Sequence, residues 1–320
     1  MKALVTGATG FIGSHLCEDL VKKGFEVSCL TRKTSNLKWL ENLDIKPVTG
    51  DCTEIESLRA VVKDFDYIFH LAGITKSCSK DAFFHINAKG TENLIKIVYE
   101  KNPALKRFVY LSSLAAVGPS KNGAPVTEDS NPSPVSDYGR SKLEGEKAVL
   151  KYKDLLPITI IRPPAVYGPR DKDMLMIFKM IKKGFFFDLG KCCYSLLYVD
   201  DLIQGIILCA ENKKAEGETY FLSDNNSYTG DEVAMEISSI FNVKAKPLKV
   251  PKFVMPFFAF ICEKFNKHGI INRDRINDFR HSIWLCDSKK AKEEIGFITK
   301  VMLKEGIKWT ADWYRIHKWL

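Results

Sequence analysis

No uncharged apolar run in this chain approaches the roughly 20 residues that a helix needs to cross a bilayer, which argues against a transmembrane segment. Its nine cysteines include no C-x-x-C pair and no metal-ligand spacing, which argues against a zinc site or a disulfide framework. Cys29, Cys209 and Cys262 lie in apolar runs and read as reduced core residues of a cytoplasmic protein. Adjacent Cys192 and Cys193 are the only cysteines close enough in sequence to suggest redox chemistry. The six histidines, His15 and His70 among them, also lack ligand spacing, so no metal is expected. Lys and Arg number 48 against 39 Asp and Glu, a net charge of +9, yet no dense basic run appears. Nucleic acid is therefore not an expected partner, and a mild attraction for anionic ligands is. The first strand begins directly after Met1, leaving no room for a secretion signal. No internal repeat or low-complexity tract interrupts the chain.

What is present is a dense opening. Ala3, Leu4 and Val5 form a short apolar run, as expected of a strand buried on both faces. Gly7, Gly10 and Gly13 follow at once, and from Phe11 the pattern turns helical, with Ile12, Leu16 and Leu20 at four-residue steps. Strand, glycine turn and helix form the arrangement that binds a dinucleotide. One glycine permits the turn, one lets backbone approach the pyrophosphate, and one lets helix and strand pack closely. A single glycine triplet is weak evidence, and here the context on both sides supports it.

A second strand, Glu26 to Leu30, ends in Thr31, Arg32 and Lys33. An acid at this tip binds the ribose hydroxyls of NAD, whereas an Arg accommodates the 2′-phosphate of NADP. No acid lies between Val27 and Leu40, so NADP is the expected cofactor, with NAD the alternative and a merely solvated Arg32 and Lys33 still open. Further strands are expected at Lys46–Val48, Tyr67–Leu71, Arg107–Leu111 and Ile158–Ile161. Helices are expected near 54–63, 82–100 and 138–153, with a surface loop from Pro119 to Pro134 between the last two. This alternation predicts an α/β fold, a Rossmann-type doubly wound parallel sheet with a smaller, mostly C-terminal α/β substrate lobe. The dinucleotide domain is placed at 1–165, with return segments near 194–225. The substrate lobe is placed at 166–193 and 226–320.

Tyr138 and Lys142 stand four apart on an expected helix, hence on one face. An ammonium that close favours phenolate and would lower the phenol's pKa, which suits proton exchange with an alcohol or ketone. Tyr314 and Lys318 repeat the spacing, where only a surface helix is expected. The first pair differs in its company: a glycine turn and a strand ending in Ser112-Ser113.

Together these residues resemble the extended short-chain dehydrogenase/reductase family, of the NAD-dependent epimerase/dehydratase type. The matching segments are Thr6 to Gly13, Gly50-Asp51, His70 to Gly73, Asn87 with Gly90-Thr91, Ser112-Ser113, Tyr138 to Lys142, Arg162-Pro163 with Tyr167-Gly168-Pro169, and Tyr198 to Asp201. The resemblance implies a catalytic set of Ser113, Tyr138 and Lys142. It implies a cofactor site from Gly7, Thr9, Gly10, Phe11, Ile12, Gly13, Arg32, Lys33, Asp51, Cys52, Leu71, Ala72, Gly73, Asn87, Tyr138, Lys142, Pro163 and Val166. Asp51 would hold the adenine amino group, and Lys142 the nicotinamide ribose. Ser112 is read as a strand-end residue satisfied by backbone.

Departures from the pattern bear on the substrate. Nucleotide-sugar enzymes of this type usually carry an Arg four residues before Tyr198, where this chain has Tyr194, and an acid where it has Thr31. A phenol does not replace a guanidinium fork on phosphate. Arg32 is similar to the dihydroflavonol-reductase and hydroxysteroid-dehydrogenase branch. The run Phe253 to Cys262 is open to three readings: core, wall of an apolar substrate pocket, or peripheral membrane contact. The expected function is an NAD(P)-dependent oxidoreductase on a ketone or secondary alcohol. The alternatives are a nucleotide-sugar epimerase or dehydratase with retained NAD, and a non-catalytic nucleotide sensor. The expected partner is a small-molecule substrate, and a homodimer is compatible with the sequence.

Overall fold

The computed structural model describes residues 1–249 and 273–320, so the Phe253–Cys262 segment lies outside the described residues. Seven parallel strands form the main sheet, in the order β11-β6-β5-β4-β1-β2-β3. They are β1 (Lys2–Thr6), β2 (Glu26–Thr31), β3 (Ile45–Thr49), β4 (Tyr67–His70), β5 (Arg107–Leu111), β6 (Ile158–Arg162) and, far along the chain, β11 (Glu218–Phe221). The central strands are buried from end to end, which is why they read as apolar runs without alternation. Their order reverses at β1, with β2 on one side and β4 on the other, and this is where ligands bind in such sheets.

The helices are α1 (Phe11–Lys22), α2 (Ile55–Leu58), α3 (Lys80–Phe83), α4 (Gly90–Lys101), α5 (Asp137–Leu150), α6 (Lys172–Lys182), α7 (Val199–Glu211) and α8 (Gly230–Phe241), then helices at Arg273–Phe279, Lys289–Ile295 and Leu303–Ile316. Two expectations need correction. The helix expected at 54–63 shrinks to Ile55–Leu58, because the Ser57 hydroxyl bonds the Glu54 and Asp51 carbonyls and turns follow. The long helix begins at Lys80, capped by Ser79, and passes through a π-helical stretch, Phe84–Lys89, before α4. Inserted π turns gather at functional sites, and Asn87 sits inside this one.

The remaining strands are short: β7 (Ala165–Tyr167) with β10 (Leu196–Tyr198), β8 (Phe185–Asp188) with β13 (Lys246–Lys249), and β9 (Cys193–Tyr194) between β12 (Tyr228–Thr229) and β14 (Ile283–Trp284). A second apolar core joins Phe178 and Ile181 of α6, Ile237 of α8, and Ile307, Ala311 and Tyr314 of the Leu303–Ile316 helix. Tyr314 is therefore not on a surface helix. It is fully buried and donates its hydroxyl to the Asp171 carbonyl, while Lys318 lies beyond the helix at φ 58. The amphipathic period that made the helix legible says which face is covered, but not by what. Residues 119–134 are also tied down: Ser120 N donates to Ile283 O (2.9 Å) and Val126 N to Leu285 O (2.9 Å).

Candidate active site

A cleft of about 1270 Å³ runs along the carboxyl ends of the strands and out between the second core and α5. At one end lies the glycine turn. Gly7 has φ +71, and a Cβ there would stand 2.7 Å from the Ala72 amide nitrogen. A Cβ on Gly13 would stand 2.1 Å from the Gly7 carbonyl oxygen. Glycine is thus required at both positions, by backbone angle at the first and close approach at the second. No side chain caps α1 at Gly10, and Phe11, Ile12 and Gly13 line the cleft, which leaves the positive end of a helix facing it. These features fit a dinucleotide pyrophosphate.

Thr9, Arg32, Asp51, Cys52, Leu71, Ala72, Gly73, Pro163 and Val166 also line the cleft. One Asp51 carboxylate oxygen accepts from both the amide and the hydroxyl of Thr53 (2.8 Å each), which fixes the carboxylate at the wall. Two expected cofactor residues are not on this wall. Lys33 is exposed away from it. Asn87 is buried behind it, where its Oδ1 accepts from Ile74 N (2.8 Å) and its Nδ2 donates to Ile74 O and to Ser141 Oγ (2.9 Å each). Asn87 thus joins the loop after β4 to α5 and positions the wall.

Tyr138, Lys142 and Ser113 meet midway along the cleft. Ser136 caps α5, accepting from Gly139 N (3.1 Å). From the opposite side Asp274 accepts from the amides of Asp137 (2.6 Å) and Tyr138 (3.1 Å). Burial raises the Tyr138 pKa, opposed by a hydrogen bond with Ser113 and by the Arg275 charge. Lys142 Nζ donates to Leu111 O (2.7 Å) and lies 4.3 Å from the centroid of the Tyr110 ring. Burial lowers Lys142 to about 7, and the nearby Glu146 charge opposes that shift. The phenol is thus raised by burial, where the spacing predicts a net lowering by Lys142. Burial keeps Tyr138 protonated, and Arg275 is the cation that acts on it.

Ser112 is not satisfied by backbone alone. Its hydroxyl donates to the Glu146 carboxylate (2.5 Å), which also takes two bonds from Arg162 (2.9 and 2.7 Å). This closed cluster lies buried near Lys142, and it separates the two serines: Ser112 faces the cluster and Ser113 the phenol. Sequence reasoning missed Glu146. Its available signal was the four-residue step from Lys142 on the same helix. His70, buried and lowered to about 3, bridges the hydroxyls of Thr6 (2.7 Å) and Thr91 (2.9 Å) as a neutral ring.

Beyond Tyr138 the cleft is lined by Met174, Ile177, Met180, Phe186, Phe279 and Trp284, with Tyr194 among them. Charged residues line this end as well: Lys76, Asp171, Lys172, Asp173, Asp274, Arg275 and Asp278. Asp173 joins Lys76 and Arg275 (3.0 Å to Arg275). Asp278 is raised to about 6 by burial. At the cofactor end Trp39 lines the cleft and meets the rings of Trp313 (5.5 Å) and Trp319 (6.2 Å), with the Arg170 guanidinium 4.8 Å over it.

A seven-stranded parallel sheet, a glycine turn at its switch point, and a Ser, Tyr and Lys set across one cleft define an extended short-chain dehydrogenase/reductase fold. The chain belongs to the NAD-dependent epimerase/dehydratase family, whose sequence profile matches residues 3–222. It is 26% identical to a ceramide reductase of Caulobacter vibrioides, over 99% of this chain and 95% of that one. It is 27% identical to a UDP-glucose 4-epimerase of Vibrio cholerae, over 97% and 94%. Among solved structures, a UDP-glucuronic acid 4-epimerase from Bacillus cereus in complex with UDP-glucuronic acid and NAD matches with a TM-score of 0.80 and 26% identity, over 99% of this chain and 100% of that one.

Proposed function

We propose that this protein is an NAD(P)-dependent oxidoreductase that exchanges hydride with a ketone or secondary alcohol on a largely apolar molecule. The observation that carries the reading is the substrate end of the cleft, where Tyr194 joins a wall of methionine, isoleucine and aromatic side chains. When bound, the cofactor supplies or accepts hydride at the nicotinamide C4. Gly7, Gly10 and Gly13 with the first turn of α1 hold its pyrophosphate, Asp51 its adenine amino group, and Lys142 its nicotinamide ribose. Arg32, on the cleft wall with no acid nearby in sequence, selects the 2′-phosphate of NADP.

Tyr138 carries the proton. Buried and protonated at neutral pH, its phenol donates to the carbonyl oxygen in reduction and recovers the proton in oxidation. Ser113 holds that oxygen within hydrogen-bond reach, and Asp274 fixes the backbone of Tyr138 from the other side of the cleft.

A second reading, an epimerase or dehydratase on a nucleotide sugar, draws on Lys76 and Arg275 as cations at the substrate end. It also draws on likeness to the Vibrio cholerae and Bacillus cereus enzymes. One assay separates the two. Net oxidation of NAD(P)H with apolar ketones supports the first. Interconversion of a UDP-sugar with no net change in cofactor supports the second. Full activity of Tyr138→Phe in either assay would overturn the shared mechanism.

A further inference from the structure

We propose that the face built from α6, β8 and β13, beside the cleft mouth, docks on an anionic lipid surface. On α6, Lys172, Met176 and Lys179 recur at steps of four and three residues and so form one stripe, which Lys183 at the C-cap extends by four more. All four are exposed. Next to α6 lies the two-stranded sheet of β8 and β13, in which Leu248 pairs with Phe187 and both point to one side. Met176 (48% exposed), Leu248 (45%), Phe187 (40%) and Ile177 (39%) form an apolar surface that runs into the cleft, where Met176, Ile177 and Phe187 are lining residues.

The charge around this surface is one-sided. Residues 172–191 and 243–249 contain eight lysines and two aspartates, a net +6 of the chain's +9. One of the two aspartates, Asp173, is taken by Lys76 and Arg275. Among the described residues no carboxylate pairs with Lys172, Lys179, Lys183, Lys191, Lys246 or Lys249. Apolar side chains among unpaired lysines match the boundary of an anionic bilayer, where the stems lie along acyl chains and the ammonium groups reach headgroup phosphate. These two segments contain no Arg, the residue that nucleic-acid surfaces rely on for forked contacts. Each lysine near an anionic surface contributes about fivefold to partition. Docking here would hold the cleft mouth against the lipid, whichever reaction the cleft carries out.

The test is co-sedimentation of the full chain with vesicles of phosphatidylcholine alone or with about one third phosphatidylglycerol. The anionic vesicles should retain the protein, and raised salt should release it. Neutralising Lys179, Lys183 and Lys246 together to Gln should lower the partition coefficient about 100-fold. Leu248→Glu should lower it further. None of these four residues lines the cleft, so cofactor binding should be unchanged and reports the fold. As a charge-matched control, Lys292, Lys304 and Lys308 changed to Gln should leave vesicle binding near the wild-type value. Failure of the wild type to bind anionic vesicles overturns the proposal, as does equal binding to neutral ones. Equal losses in the two triple variants overturn it too, and so does binding to duplex DNA that Leu248→Glu leaves intact.

Discussion

Two tyrosines in this molecule stand four residues ahead of a lysine, one half-buried at a cleft and the other fully buried. Tyr138 lies on a cleft wall with its phenol bonded to Ser113, and its lysine is held inside the protein against Leu111 O and the Tyr110 ring. Tyr314 lies in the second core, gives its hydroxyl to the Asp171 carbonyl, and has its lysine outside the helix in a left-handed conformation. The spacing is identical and the chemistry is not. A hydroxyl with a satisfied backbone partner and no access to a cavity is a structural strut, whereas one that lines a cavity is free to exchange its proton. Spacing nominates such a pair, and access to a ligand decides it.

The largest effect should separate the two tyrosines outright. Tyr138→Phe should lose about 10²–10⁴-fold in turnover with cofactor affinity and melting temperature close to wild type, because only a proton-transfer group is removed. Steady-state kinetics beside a cofactor titration checks this. Tyr314→Phe should do the reverse. It leaves a buried carbonyl without its donor, costing about 1–3 kcal/mol in urea unfolding, and changes turnover far less. A stable, inactive Tyr314→Phe would reverse the assignment.

The serines sharpen the same contrast. Ser113→Ala should act on turnover, about tenfold, as a lost hydrogen bond to the reacting phenol. Ser112→Ala should act on stability, because it strips a donor from the buried Glu146–Arg162 pair. If Ser112→Ala is the slower enzyme, the register of the serine assignment is wrong.

At the tip of β2, Arg32→Ala should weaken NADP(H) by about 10–100-fold and leave NAD(H) nearly unchanged, as expected for one charge-assisted contact with phosphate. Equal losses for both cofactors, or tighter NAD(H) binding by the wild type, would remove the NADP assignment.

The last contrast concerns the two lysines. Lys142 is lowered to about 7 by burial, below the pKa of a lysine in the unfolded chain. Between about pH 7 and 10 the unfolded chain therefore binds more protons at this residue, and stability rises with pH. Lys142→Met should flatten that rise in urea unfolding of the cofactor-free protein. Lys318→Ala should leave it alone. A slope unchanged in Lys142→Met would show that Lys142 is not desolvated.

Most of the sheet was legible because strands buried on both faces leave uninterrupted apolar runs, and the polar residues at their tips mark the ligand edge. The glycine turn was legible for a related reason, since its demands are backbone demands that only glycine meets. What was not legible depends on contacts between distant segments. Glu146 became meaningful only beside Arg162 and Ser112, and Asp274 only beside the amides of α5. The basic face escaped notice because its eight lysines are split between two segments about 50 residues apart, neither of them a dense basic run. Tyr314 was misjudged because helical period reveals that one face is covered, and a second core was needed to cover it.

Trp39 ties the cofactor end of the cleft to residues far downstream. Its contact with the Trp313 ring spans 274 positions, and the loop that carries Arg32 and Ser35 is held between that contact and β2. A closure of that length is expected late in folding, since shorter loops close at lower entropic cost. The β1–α1 turn needs partners no farther along the chain than β4 and the residues after it, whereas the loop carrying Arg32 also packs on the Leu303–Ile316 helix. Refolding followed by nucleotide fluorescence should therefore show pyrophosphate recognition maturing before selectivity at the 2′ position.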